Sequence, residues 1–171
     1  MAAELKVGDA APDFTVKDDQ GKDWKASDHY GKNVVVVYFY PADTTGGCTK
    51  QACAYRDDLP KLKEAGIEVV GVSGDSVKNH QLFKQKENLN FALLADTEGK
   101  VADAFGVPVK REGEKTVKAI INGKEEVLVR TVTTARWTFI VGKDKKIAYI
   151  NSQVKAADDS KTIAEVAKSL K

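Results

Sequence analysis

The chain has 171 residues, of which 42% are hydrophobic and 30% charged, and its formal net charge is +2. That length suits one domain, residues 1–171, with a core large enough to fold without disulfide staples. The composition is that of a globular protein rather than a disordered one, and the interleaved charges single out neither nucleic acid nor a membrane surface as a partner. No apolar run reaches the roughly 18 residues of a membrane span. The opening stretch MAAELKVGDAAPDF has neither the charged-then-apolar order of a signal peptide nor the Arg- and Ser-rich character of a transit peptide. Two cysteines without a leader imply a reducing compartment. The cytoplasm is therefore expected, with a mature plastid form, its transit peptide removed, as the alternative.

In chain order, DFTVKDDQGKDWKAS predicts a hairpin turning at DDQG. NVVVVYFY (33–40) is a continuous β-branched and aromatic run, as in a strand buried on both faces, and Pro41 ends it. Residues 47–65 predict a helix closed by Gly66. IEVVGVSGD (67–75) predicts a second buried strand, and residues 76–88 a helix with Ser76 as N-cap. A short strand (91–96) and a short helix (97–106) follow. Asn122-Gly123, between two β-rich arms of segment 115–132, is the strongest hairpin signal in the chain. RWTFIV (136–141) and KIAYINS (146–152) predict two more strands around GKDK. Residues 158–171 predict an amphipathic helix with Ile163, Val166, Ala167 and Leu170 on one face. This order predicts an α/β fold, a central mixed sheet flanked by helices, with an N-terminal hairpin and an extra hairpin near 115–134. Sites in such sheets lie beyond the carboxyl ends of strands, where Cys48 falls.

Both cysteines, Cys48 and Cys53, lie within YFYPADTTGGCTKQACAYRD (38–57). A zinc site takes about four ligands, and two cysteines with two distant histidines do not supply them. The spacing is not the C-x-x-C of thioredoxin-type redox motifs. Two buried core thiols are the plain alternative. Against it stands the Thr-Thr-Gly-Gly lead-in. A thiol at a helix N-terminus meets the positive end of the dipole and unpaired N–H groups, which favour thiolate. Gly46 and Gly47 let a small ligand approach the backbone. Five residues of helix separate the two Cα atoms by a rise of about 7.5 Å and a turn of about 140°, beyond the roughly 7 Å Cα separation that a disulfide tolerates. Bonding of Cys48 to Cys53 therefore requires the first helical turn to unwind.

At these residues the chain resembles the peroxiredoxins. Their P-x-x-x-T-x-x-C motif stands here as Pro41-Ala42-Asp43-Thr44-Thr45-Gly46-Gly47-Cys48. The second cysteine, five positions on, is similar to the peroxiredoxin Q (bacterioferritin comigratory protein) branch. GVSGDS (71–76), LLAD (93–96), FGVP (105–108) and RWTFIV (136–141) fall in the family's order, and the resemblance covers most of residues 5–108 and 136–171. It implies a thioredoxin-like fold and thiol-dependent reduction of hydrogen peroxide and organic hydroperoxides. By position it makes Cys48 the peroxidatic cysteine and Cys53 the resolving one. Thr45 would donate its hydroxyl to the peroxide, Pro41 would shield the thiolate, and Arg136 would be the active-site arginine. Thr45, Gly47, Cys48 and Arg136 would bind substrate. The implied partners are a peroxide and a thioredoxin or glutaredoxin reductant. No cofactor or metal is implied, and the chain would be a monomer or weak dimer.

Each residue has a plainer reading. Pro41 also ends a strand, Thr45 also serves as a helix N-cap, and a lone Arg at a strand start is usually solvated. Gln51, one turn after Cys48, either orients Arg136 or faces water. Arg56 and Asp57 suit an ion-paired helix face, Trp137 suits packing, and His29 and His80 are expected at the surface. Two departures from the family stand out. Relatives often have Pro-Gly where this chain has Gly46-Gly47, which makes the first turn easier to unwind. Residues 109–134 are longer than in many relatives: a hairpin lying on the sheet, a self-association interface or a plain surface hairpin. Two other functions remain open, a disulfide oxidoreductase on the same fold and a redox-switch or holdase protein.

Overall fold

A computed structural model describes residues 4–170. Residues 1–3 of the opening stretch and Lys171 at the expected end of the last helix lie outside the described residues. The hairpin β1 (Thr15–Asp18) and β2 (Asp23–Lys25) is followed by β3 (Val34–Phe39), α1 (Gly46–Glu64), β4 (Ile67–Ser73), α2 (Val77–Glu87), β5 (Ala92–Ala95) and α3 (Lys100–Phe105). Then come β6 (Val109–Lys110), β7 (Lys115–Ile121), β8 (Lys124–Arg130), β9 (Thr133–Thr134), β10 (Trp137–Val141), β11 (Ile147–Asn151) and α4 (Asp159–Lys168).

Seven strands form one mixed sheet in the order β11-β10-β3-β4-β5-β1-β2. β3, β4 and β5 run parallel, and β10 joins β3 antiparallel, with Trp137 opposite Phe39. Every residue of β3 is buried, as its unbroken apolar run predicts. Alternation sends Val36 and Tyr38 to the core under α1, α2 and α4, and Val35, Val37 and Phe39 to the core around Trp24, Phe105 and Phe139. Cys48, Ala52 and Tyr55 belong to the first core, and Ile163 of α4 closes over it.

The caps account for the boundaries. Gly66, at φ +77°, ends α1, and the Ser76 hydroxyl accepts from Asn79 N at the start of α2. The helix expected over 97–106 begins only at Lys100, because Gly99 takes φ +75° and Asp96 accepts from the N–H groups of Val101 and Ala102. Asn122 and Gly123 both adopt positive φ, 54° and 79°, as a two-residue hairpin turn requires. That hairpin forms its own two-stranded sheet rather than lying on the main one. It sits beside α2, where Asn79 Nδ2 donates to Val129 O at 3.0 Å.

Candidate active site

β3 delivers the chain to the site, and the Thr134 hydroxyl pins its end by donating to Tyr40 O at 3.0 Å. Pro41 stands half-buried at the bend that follows. The next residue to be anchored is Asp43, 1% exposed, and it is held from three sides. Its N–H donates to Asp75 Oδ2 at 2.9 Å, its Oδ1 accepts from the Tyr40 hydroxyl, and its Oδ2 lies 2.7 Å from His80 Nδ1. His80 Nε2 faces Leu94 O at 2.9 Å. His80 is therefore fully buried, not a surface residue. The signal that hides this is its place on a polar helix, and only the β3–α1 loop folding onto α2 supplies its carboxylate. Burial disfavours the imidazolium, but the charge and hydrogen bond of Asp43, with Asp75 behind, outweigh that and raise the His80 pKa. His29, by contrast, is half-exposed and pairs with Glu68 at 2.7 Å.

Anchoring Asp43 allows an unfavourable turn beside it. Thr44 adopts φ +66°, a region costly for a β-branched residue. That turn sets Thr45 as the residue before α1. The Thr45 side chain does not cap the helix; its hydroxyl donates to Ala42 O at 2.8 Å. In this state its proton is engaged by Ala42 O, and its lone pairs remain as acceptors.

α1 opens at Gly46, so Cys48 lies in its first turn and is 1% exposed. Arg136, arriving just before β10, donates from Nη2 to Cys48 Sγ at 3.3 Å. Its Nη1 donates to Gln51 Oε1 at 2.7 Å. Gln51 is buried and orients Arg136 rather than facing water. Gly47 makes this approach possible, since a Cβ there would stand 3.0 Å from Arg136 Nη2. The guanidinium and the unpaired N–H groups of the first helical turn place hydrogen-bond donors and positive charge around the sulfur.

Cys53 lies on another side of the same helix, half-buried, and both thiols are free. Its S–H donates to Glu87 Oε2 at 3.5 Å, at the end of α2. Burial raises the Cys53 pKa; Arg56 opposes this, and the charge and hydrogen bond of Glu87 add to it. Arg56 pairs with Asp57 at 3.0 Å, as expected, and also ties α1 to α2 through Glu87 O at 2.6 Å. Trp137 packs against the second core. Among the described residues no three His, Cys, Asp or Glu side chains converge as a metal site, and no helix is long and apolar enough to cross a membrane. Besides His80 and Asp43, sequence reasoning missed Asp159, Tyr55 and Thr138, which stand behind Gln51. None belongs to a motif, and they meet only through tertiary contact.

The AhpC/TSA family profile matches residues 7–150, and the chain belongs to that family. Among curated proteins it is 52% identical over 108 residues to a chloroplastic peroxiredoxin Q of Suaeda salsa, covering 63% of this chain and 50% of that one. It is 49% identical over 107 residues to a putative peroxiredoxin bcp of Coxiella burnetii, covering 63% and 70%. The chain thus spans about half the length of the plant relatives it matches. Among solved structures, peroxidoxin BcpB from Mycobacterium tuberculosis superposes with a TM-score of 0.79 at 29% identity, covering 98% of this chain and 99% of that one. The bacterioferritin comigratory protein of Xanthomonas campestris, described by its alkyl peroxide reduction activity, superposes at 0.75 with 27% identity and 98% coverage of both. The fold is thioredoxin-like, and within the family the chain falls in the peroxiredoxin Q/bacterioferritin comigratory protein branch.

Proposed function

We propose that this chain, as one domain, is a two-cysteine thiol peroxidase that reduces hydrogen peroxide and organic hydroperoxides. The observation that carries the reading is the Arg136 guanidinium held on the Cys48 sulfur at the start of a helix that also bears Cys53. Cys48 thiolate attacks the terminal peroxide oxygen, the O–O bond breaks, and the leaving oxygen departs with a proton as water or alcohol. The product is Cys48 sulfenic acid. Arg136 and the first-turn N–H groups, Gly47 among them, stabilise the charge that moves along S–O–O. Thr45 accepts the peroxide O–H, and Pro41 shields the sulfur.

The second half of the cycle follows from where Cys53 sits. α1 is helical through both cysteines, so its first turns unwind to let Cys53 attack the sulfenic sulfur. A disulfide forms and water leaves. An external dithiol, a thioredoxin or glutaredoxin, then returns both thiols by exchange. These steps run on protein groups, peroxide and dithiol, and the chain works as a monomer or weak dimer. The chloroplastic and bacterial names of the relatives accord with a plastid or a bacterial cytoplasm.

Intact mass after one equivalent of hydrogen peroxide, with free-thiol counts, tests the reading. The expected result is loss of two hydrogens and of both thiols, absent in Cys48→Ser and stalled at one added oxygen in Cys53→Ser. A reduced protein that keeps both thiols through minutes of exposure overturns it.

A further inference from the structure

We infer that Asp159, the first residue of α4, is a positioning residue that fixes Arg136 on Cys48 by dictating which way the Gln51 amide points. The inference rests on the roles of Cys48 and Arg136 proposed above. Asp159 is 2% exposed, and its Oδ2 gathers three donors: Gln51 Nε2 at 3.0 Å, the Tyr55 hydroxyl at 2.6 Å and the Thr138 hydroxyl at 2.7 Å. Its Oδ1 is buried without a partner among the described residues. The carboxylate's bonding is thus concentrated on the side facing the site.

The donors come from the two elements that carry the reacting pair. Gln51 and Tyr55 follow Cys48 by three and seven residues on α1, and Thr138 follows Arg136 by two on β10. One buried carboxylate therefore ties α1 to β10 at the level of the site. A carboxylate only accepts and a guanidinium only donates. Gln51 lies between them, with Nε2 toward Asp159 and Oε1 toward Arg136 Nη1 at 2.7 Å. Flipped, the amide would set its NH2 against the guanidinium and its oxygen against the carboxylate. Asp159 forbids that flip and so keeps an acceptor aimed at Arg136, whose other nitrogen then reaches Cys48 Sγ at 3.3 Å.

Holding α4 in place does not by itself require this residue. Ser160 already donates to Asp58 Oδ2 at 2.7 Å, and Ile163 is fully buried. Burial first, then the adjacent Asp159 charge and hydrogen bond, hold the Tyr55 hydroxyl well above its ordinary pKa. Tyr55 therefore remains a donor to the carboxylate.

The test uses Cys53→Ser protein, in which Cys48 is the one remaining thiol, and follows iodoacetamide alkylation of Cys48 from pH 5 to pH 10. This readout needs no peroxide turnover, so it separates a failure of the relay from a failure of the peroxidase reading, which a parallel peroxide assay tests. Asp159→Asn can present an N–H to Gln51 and frees the amide to flip. Alkylation at pH 7 is then expected to fall about tenfold and to recover at higher pH, as for a thiol that has lost a cationic neighbour. In an Arg136→Met background, Asp159→Asn should change nothing further, because both act through one contact. Ser160→Ala, which loosens the same end of α4 without touching the relay, should leave the profile unchanged. Should Asp159→Asn fail to fold, Gln51→Met cuts the same link from the other side and should give the same shift. A folded Asp159→Asn or Gln51→Met protein with the unmodified profile overturns the inference. So does a full additional loss on top of Arg136→Met.

Discussion

Cys48 and Cys53 share one helix and meet opposite surroundings. Cys48 is buried, faces a guanidinium and lies in the first turn, where unpaired N–H groups converge. Cys53 is half-buried, a turn and a half further on, and faces a carboxylate. The same functional group is thus placed once beside a cation and once beside a carboxylate, where burial and that carboxylate keep its proton on. The difference teaches that reactivity here is assigned by what each face of the helix meets, not by the helix itself. A thiol that keeps its proton beside Glu87 is a poor nucleophile until it leaves, so under the proposed mechanism the two positions set an order: Cys48 would react in the folded helix and Cys53 after undocking.

The largest test of the contrast removes the cation. Arg136→Met should lower the rate of peroxide reaction at Cys48 by about 10²–10³, read by stopped-flow, with no change in Cys53 alkylation. A loss at both thiols would mean that the two sites are not distinct.

The support beneath the loop is tested through stability. His80→Leu leaves Asp43 buried without its charged partner, and urea unfolding should show a loss of about 3–5 kcal/mol. The pH dependence has a fixed sign. Because the folded His80 pKa is raised above the ordinary 6.5, the stabilisation is complete below that value and is lost as pH rises through the folded one. His80→Leu should abolish that slope.

Gly47→Ala has a smaller effect at Cys48 alone. The added Cβ would meet Arg136 Nη2 at 3.0 Å, and a displacement of a few tenths of an ångström should slow peroxide reaction about tenfold while leaving Cys53 alkylation unaltered.

Glu87→Gln should make the two thiols more alike. Removing the carboxylate lowers the Cys53 pKa toward its ordinary 9.0, so disulfide formation after sulfenic acid should quicken a few-fold. In the unmodified protein the docked Cys53 is favoured below pH 9.0 and loses that advantage as pH rises beyond it, because the undocked thiol then gains by ionising. Disulfide formation should therefore speed up across that window, and less so in Glu87→Gln.

The smallest expected effect is at the first helical residue. A Cβ at Gly46 meets open space, so Gly46→Pro should fold normally, stiffen the first turn and raise peroxide-driven inactivation during turnover. Unchanged inactivation would mean that unwinding of this turn does not limit resolution.

Local rules explain what was legible. The buried run of β3, the Ser76 cap, the Gly66 stop and the Asn122-Gly123 turn are each decided within a few residues, and the structure places all of them where the sequence indicates. The candidate site was legible to the extent that it is a motif: Pro41, Thr45, Gly47 and Cys48 stand in one loop and helix start, and Arg136 arrives beside them. Where the expectations failed, a partner distant in sequence had intervened. His80 looked exposed on a polar helix, but Asp43, 37 residues away, draws it inside. The local exception is Thr45, an N-cap candidate whose hydroxyl turns instead to Ala42 O, three residues back, at the Thr44 turn. Of the placements open to the inserted hairpin, one beside α2 is observed, through Asn79 and Val129 O.

By itself, then, the sequence determined the elements, the helix that carries both thiols, and the impossibility of a Cys48–Cys53 bond while that helix is intact, since backbone geometry alone sets those. Only the tertiary structure decided which thiol would face a cation and which a carboxylate. Arg136 reaches Cys48 from 88 residues away, Glu87 reaches Cys53 from 34, and Asp159 reaches Gln51 from 108. Charges that act over a few ångströms are brought into range by the packing of the sheet and its helices, and no local pattern records that packing.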